Sequence, residues 1–285
     1  MPKTVAKKAS TEISTEVDLM DDIFEHAGEG TNYAADEMII PFLRIAQGLS
    51  PQINKRQPEY IEGLQMGDLF NTVTGEKWDG EKGVELVPCY QITKYLEFRP
   101  RKMGGGFQGE IDPSNPVLSQ RQRQQVTEED GKKKNVEVLP NGNEVVKSDQ
   151  HYSLLVDPET GRWQPLVVDM KSTQLKISRR WKTQIKLQVV THPKTGQEVT
   201  PPVFANRWLL QVTPESNDQG DFFNYTVHHA GAVATRDLFM AAKDFREAVA
   251  KGEAKAVSEE NTRAAAPASQ EAGGTRPMVD DDIPF

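Results

Sequence analysis

From Val84 to Arg99 the chain reads as one long strand, and this constrains the fold more than any other stretch. Val84, Leu86, Tyr90, Ile92, Leu96 and Phe98 share one parity, the period-two pattern of a strand with one buried face; Lys94 interrupts that face, and Pro88 marks an edge or a bulge. A strand this long needs neighbours, and the sequence supplies candidates. Asn71-Thr72-Val73-Thr74-Gly75-Glu76 reads as strand then turn, and Asn135–Leu139, Glu144–Lys147, Tyr152–Asp157 and Trp163–Met170 follow, with Asn141-Gly142 and Asp157–Gly161 as turns.

Ser172 can then cap a helix running to about Leu187. Two strands come next, Val203–Thr213 and Phe222–His229, joined by a turn over Pro214–Gly220. Thr235 to Lys251 reads as a helix with Leu238, Ala242, Phe245 and Val249 on one face and Gly252 as its stop. Strands, a helix, then further strands is the order of an OB-fold, a small Greek-key barrel frequent among oligonucleotide binders. The expected class is therefore mainly β (α+β): an OB-fold-like barrel with a helix between strands, a C-terminal helix and disordered termini.

Composition adds domain limits. Residues 1–30 are polar and read as a flexible acidic arm with a helical turn around Asp18–His26. The OB-like domain covers 31–251, entered by the apolar run Met38–Ile45. Inside it the Gln-, Lys- and Glu-rich stretch 108–135, after Gly104-Gly105-Gly106, reads as a loop or insertion. Residues 252–277 are a flexible linker of Ala, Glu, Ser, Gly and Pro, and 278–285 form a distinct acidic tip. The net charge is −8, but the two end segments 1–30 and 252–285 each hold three basic and seven acidic residues, leaving 31–251 balanced. The acidic total is thus no argument against a polyanionic ligand. Cys89 is the sole cysteine, which excludes an intramolecular disulfide and a Cys-rich zinc site. Met1–Ser10 carries no apolar run, and no stretch has the apolar length of a bilayer span, so a cytoplasmic protein is expected.

Charge segregates most clearly between Asp169 and Glu198. That interval has no carboxylate and holds Lys171, Lys176, Arg179, Arg180, Lys182, Lys186 and Lys194. At helical pitch Ile177, Trp181 and Ile185 form one stripe and the cations take the opposite arc, a face suited to phosphates. Single strands also need rings on which bases stack. Candidates interleaved with cations are Tyr95, Arg99, Arg101 and Lys102 on the long strand, with Phe98, then Arg207 and Trp208; Phe222, Phe223 and Tyr225 could add to the platform, with Phe222 and Phe223 on opposite faces.

The C-terminus, Met278-Val279-Asp280-Asp281-Asp282-Ile283-Pro284-Phe285, sets three carboxylates before an apolar dipeptide and a terminal Phe. It resembles the acidic tip of bacterial single-stranded DNA-binding proteins. The resemblance implies that Asp280, Asp281, Asp282, Ile283, Pro284 and Phe285 bind replication and repair proteins: helicase, nuclease, primase or polymerase-associated factors. The segment Ser172–Lys182, with Pro214-Glu215-Ser216-Asn217-Asp218 downstream, is similar to stretches of phage proteins described as single-strand binders. That likeness implies a phage-encoded protein acting in the host cytoplasm. The chain departs from the bacterial family in its length, its N-terminal arm and residues 108–135, so the bacterial tetramer does not carry over, although a homo-oligomer stays open.

No catalytic constellation stands out. His228 and His229 are adjacent and would face opposite ways, Gly104–Gly106 lacks the Gly-Lys-Ser/Thr of a phosphate loop, and Cys89 sits in an apolar strand. The expectation is a non-enzymatic protein without cofactor or metal. It would bind single-stranded DNA with little sequence preference during replication, recombination and repair, and recruit partners through its tip. The rivals are an adaptor that uses the tip without binding DNA, a single-strand annealing protein and, more remotely, a nuclease.

Overall fold

A computed structural model describes residues 19–27, 29, 39–127, 131, 133–217 and 220–256. The expectations for most of the acidic arm, for the linker beyond Ala256 and for the tip lie outside these residues. The chain divides into two units, Met1–Met38 and Ile39–Phe285. In the first, a helix α1 spans 19–25, where the sequence expects a helical turn.

The second unit is mainly β. Its strands are β1 (Phe42–Ile45), β2 (Leu69–Asn71), β3 (Lys77–Trp78), β4 (Val84–Phe98), β5 (Phe107–Ile111), β6 (Gln122–Thr127), β7 (Lys133–Val138), β8 (Glu144–Val156), β9 (Trp163–Lys171), the separate pair β10 (Val190–Thr191) and β11 (Glu198–Val199), then β12 (Asn206–Asn217) and β13 (Gly220–Ala232). Helix α2 (Leu175–Lys186) lies between strands and α3 (Arg236–Lys251) follows the last one, as the sequence reading expects. The main sheet runs β13-β12-β4-β8-β9-β1-β2-β3, with β5 beside β4, and with β7 and then β6 beyond β8. Its ladders are antiparallel except β1 with β9.

The sheet curls into a half-barrel, and side chains join its ends. Gln47 donates from Nε2 to the Phe223 carbonyl (2.8 Å) and accepts the Phe223 amide on Oε1 (3.0 Å), standing in for a missing strand at that edge. Tyr225 adds a hydroxyl bond to the Leu43 carbonyl at 3.2 Å. Gly67 (φ +88°) lies under this seam, where a Cβ would come within 2.8 Å of the Phe223 ring.

The inner face gathers Leu43, Leu69, Leu86, Leu155, Val168, Trp208, Leu210 and Tyr225 around Trp181 of α2. The outer face carries two smaller clusters against α3, built on Val87, Cys89, Leu154 and Leu238, and on Phe42, Tyr152, Val167 and Val249. Thr235 caps α3 through its hydroxyl, which accepts from the Leu238 amide at 3.2 Å, and Gly252 (φ 76°) ends it. The central strands are thus covered on both sides, and every residue of β8 from Ser148 to Val156 is buried.

Several details depart from the sequence reading. A bulge between Pro88 and Tyr90 reverses the alternation of β4, so Leu86 faces inward whereas Tyr90 and Ile92 join the outer cluster. Glu144–Lys147 and Tyr152–Asp157 are not two strands, because the polar run between them continues a single β8. Ser172 does not cap α2. It adopts φ 49° in a 3-10 turn, Ser172–Gln174, held by the Gln174 amide oxygen, which accepts from the Lys171 backbone at 3.2 Å, and α2 begins only at Leu175. The turn assigned to Pro214–Gly220 is shorter, since β12 continues to Asn217. Pro214 fits that strand because the amides of its parity point away from β13, as that of Val212 does in donating to Gly80.

The stretch 108–135, read as a loop or insertion, includes most of β5 and β6 and the start of β7. These strands carry the sheet out along the free halves of β4 and β8 as an arm, with its own small core of Ile111, Leu118, Leu139 and Val145.

Candidate nucleic-acid interface

Helix α2 turns Ser178 and Trp181 inward, with Ile177 and Ile185 beside them. No acid occupies its first turn and Lys186 ends it, where a cation suits the helix dipole. The cations spread over the remaining arc in two flanks. Toward the β12–β13 hairpin, Lys176 pairs with Glu215 at 2.9 Å. Burial alone would raise the pKa of Glu215, but its bonds to Asn224 and Lys176 outweigh this and lower it. Toward β8, Lys182 reaches Asp149 at 2.6 Å.

Asp149 lies at the centre of a closed polar network. Besides Lys182 it accepts the hydroxyls of Ser178 (2.7 Å) and Thr93 (2.9 Å), and Lys147 stands 3.8 Å away. Burial would raise the Asp149 pKa, but the bonds from Lys182, Ser178 and Thr93 and the Lys182 charge prevail and hold it at about 2. Since the Ser178 hydroxyl donates to Asp149, His151 must donate from Nε2 to the Ser178 oxygen, at 2.9 Å. Burial keeps His151 neutral, with its pKa lowered to about 3 despite the Asp149 charge. This Ser, His and Asp are not arranged as a nucleophile: the serine stands between the other two and gives its proton to the carboxylate, and all three are buried. The network instead fastens α2 across the inner face.

Register carries the surface onward. Thr93 pairs with Asp149 and Tyr95 with Lys147 across β4 and β8, and such partners project to the same face. Lys182, Lys147 and Tyr95 therefore follow one another from the helix onto the arm. The Arg121 guanidinium lies over the Tyr95 ring, 5.6 Å from its centroid, and also pairs with Glu137 at 2.7 Å. Arg179 and Lys186, exposed, flank Lys182 at helical neighbour positions.

The residues named from sequence are thus divided. Lys176, Arg179, Arg180, Lys182 and Lys186 share α2, and Tyr95 joins them through β4. Lys171 lies on the outer face, 3.3 Å from Asp169, itself hydrogen-bonded to Ser148. Arg207 also points outward and pairs with Glu85 at 2.6 Å. Arg99 and Lys102 are exposed at the far end of β4, Arg99 bonding Gln108 at 3.3 Å, and Arg101 begins the 3-10 turn Arg101–Met103.

Trp208 requires a correction: it is 1% exposed, edge-on to Trp181 in the barrel interior, and offers no ring face to a base. Phe222 and Tyr225 are buried as well, and Phe223 packs at the seam. Lys147 and Arg121 were missed. The signal for Lys147 was only its register opposite Tyr95, which sequence does not reveal. Cys89 is buried, and burial pushes its thiol up to about 12. No helix among the described residues is long and apolar enough to cross a membrane.

Fold and surface together define a half-barrel β protein with one basic helix fastened across its inner face. The chain belongs to the family of Pam3 phage gp34-like proteins, which matches residues 8–255. No curated protein and no solved structure matches it.

Proposed function

We propose that the protein binds single-stranded DNA with little sequence preference in the cytoplasm of a phage-infected cell. It would serve replication, recombination and repair, and bring host replication or repair proteins to the strand through residues 278–285. The observation that carries this reading is the run of cations along one flank of α2, Arg179, Lys182 and Lys186, continuing through Lys147 to the Tyr95–Arg121 pair. Phosphates would follow the cations and a base would stack at the edge of the arm. The chemistry is binding and positioning, with no bond made or broken.

The test is a titration of fluorescent oligo-dT, with a duplex of equal length, at several salt concentrations. Tight, salt-sensitive binding to the single strand alone is expected. Arg179→Glu/Arg180→Glu/Lys186→Glu should weaken it by at least about a hundredfold and lower the log–log salt slope by about 2. Wild-type protein that ignores oligo-dT at low salt refutes the reading.

A second reading has its own support. Lys171, Lys176, Lys182 and Arg207 are each engaged by a carboxylate, which reduces the charge open to phosphates. This favours an adaptor whose tip captures host proteins without DNA, recognised by tight binding of a tip peptide to a host partner and none of oligo-dT.

A further inference from the structure

Two surfaces of this chain are apolar, exposed and opposite in charge. The first is α1. Leu19, Met20, Ile23 and Phe24 occupy one side of that helix, and Asp21, Asp22 and Glu25 the other. The apolar side is exposed: Leu19 is 56% and Phe24 77% exposed.

The second begins where α2 ends. Leu187 is 72% exposed, and the β10–β11 hairpin beyond it pairs Val190 with Val199, both exposed and outside every core cluster. A two-stranded hairpin with no packing partner is marginal in water. Exposed Arg179, Arg180 and Lys186 stand on the helix that leads into this patch, within the interval that has no carboxylate.

We propose that these surfaces meet between two copies of the chain: α1 of one copy docks on the end of α2 and the β10–β11 hairpin of another. The apolar stripe of α1 would cover Leu187, Val190 and Val199, and its carboxylates would face Arg179, Arg180 and Lys186. A second copy is the fitting occupant because charge and apolar area match three cations to three carboxylates, and every chain carries both halves in equal number. Each contact uses one surface of either kind, so the association is head-to-tail. It would also cover cations offered to DNA, making DNA and self-association exclusive; that consequence rests on the DNA-binding reading, whereas the docking does not.

The experiment uses full-length protein carrying Ile23→Asp/Phe24→Asp, whose docking surface is open. A fluorescein-labelled peptide of residues 16–29 is titrated with it at about 0.05 M and about 0.5 M salt. A scrambled peptide of the same composition is the control. The native peptide should bind, at least about tenfold more weakly at the higher salt and in protein also carrying Arg179→Glu/Arg180→Glu/Lys186→Glu, while the scrambled peptide does not. In sedimentation the mass of the wild type should rise with concentration and that of the Ile23→Asp/Phe24→Asp protein should stay monomeric. Equal binding of both peptides, no binding at low salt, or a wild type that is monomeric throughout overturns the proposal. Oligo-dT separates the two readings: peptide bound and oligo-dT ignored leaves the docking standing without the DNA, and the reverse removes the docking alone.

Discussion

Replacing Lys182 with Met tests whether this residue serves the fold as a partner of Asp149. The drop in the Asp149 pKa from 3.8 to about 2 corresponds to about 2 kcal/mol of stability at neutral pH. A carboxyl lowered on folding contributes fully above its unfolded pKa and loses that contribution as pH falls through the folded value. Here roughly half should remain at pH 3 and almost none below pH 2. Without Lys182 the carboxylate loses a hydrogen bond and a charge that hold its pKa down, while burial still pushes it up. Removing one partner of a buried pair costs about 3–5 kcal/mol. The lower end applies because Thr93, Ser178 and Lys147 remain around the carboxylate.

Lys182→Met should therefore lose about 3 kcal/mol at pH 7, a fall of roughly 6–12 °C in Tm, with the deficit shrinking as pH drops toward 3. Urea unfolding followed by tryptophan fluorescence suits the measurement, since Trp181 lies 4.7 Å from His151, centroid to centroid, within the same network. A variant as stable as the wild type at pH 7, or a deficit that does not change with pH, would refute the argument that Lys182 serves the fold through Asp149.

Other predictions test the remaining parts. His151 folds neutral with its pKa lowered from 6.5 to about 3, so it contributes stability above pH 6.5 that is lost as pH falls toward 3. Between pH 6.5 and 4 this amounts to about 3 kcal/mol, and His151→Gln should flatten the pH dependence of unfolding there. Gln47→Ala leaves the Phe223 amide and carbonyl unpaired at the seam and should cost about 1–3 kcal/mol, read by chemical denaturation and by faster hydrogen exchange of that amide. Trp208→Ala should destabilise by about 3–5 kcal/mol, and wherever the variant is folded it should keep wild-type oligo-dT affinity, whereas Tyr95→Ala should weaken that affinity by about tenfold. Cys89 should resist thiol reagents in the native protein and react only on unfolding.

Local signals were strong enough to reveal much of this molecule from its order of residues. The strand character of Val84–Phe98, the cap and stop of α3 at Thr235 and Gly252, and the stripe Ile177-Trp181-Ile185 each rest on contacts within a few turns or on backbone preferences, which sequence carries directly. So does the segregation of cations on α2, a matter of spacing alone. What the sequence could not carry was set by partners far away in the chain. Ser148-Asp149-Gln150-His151 looks like a break between strands because four polar residues seldom cross a core. They do so here partly because Thr93, Ser178 and Lys182, from β4 and α2, close the bonds of Asp149 and His151. Trp208 and Arg207 are neighbours of identical local promise, and only the curl of the sheet sends one ring into the interior and the other side chain outward to Glu85. Register between β4 and β8 sets Lys147 beside Tyr95, and strand pairing and helix packing engage four of the named cations with carboxylates. Periodicity assigns a residue to a face, but which face is covered, and by which charge, is decided by packing between segments that the chain holds far apart.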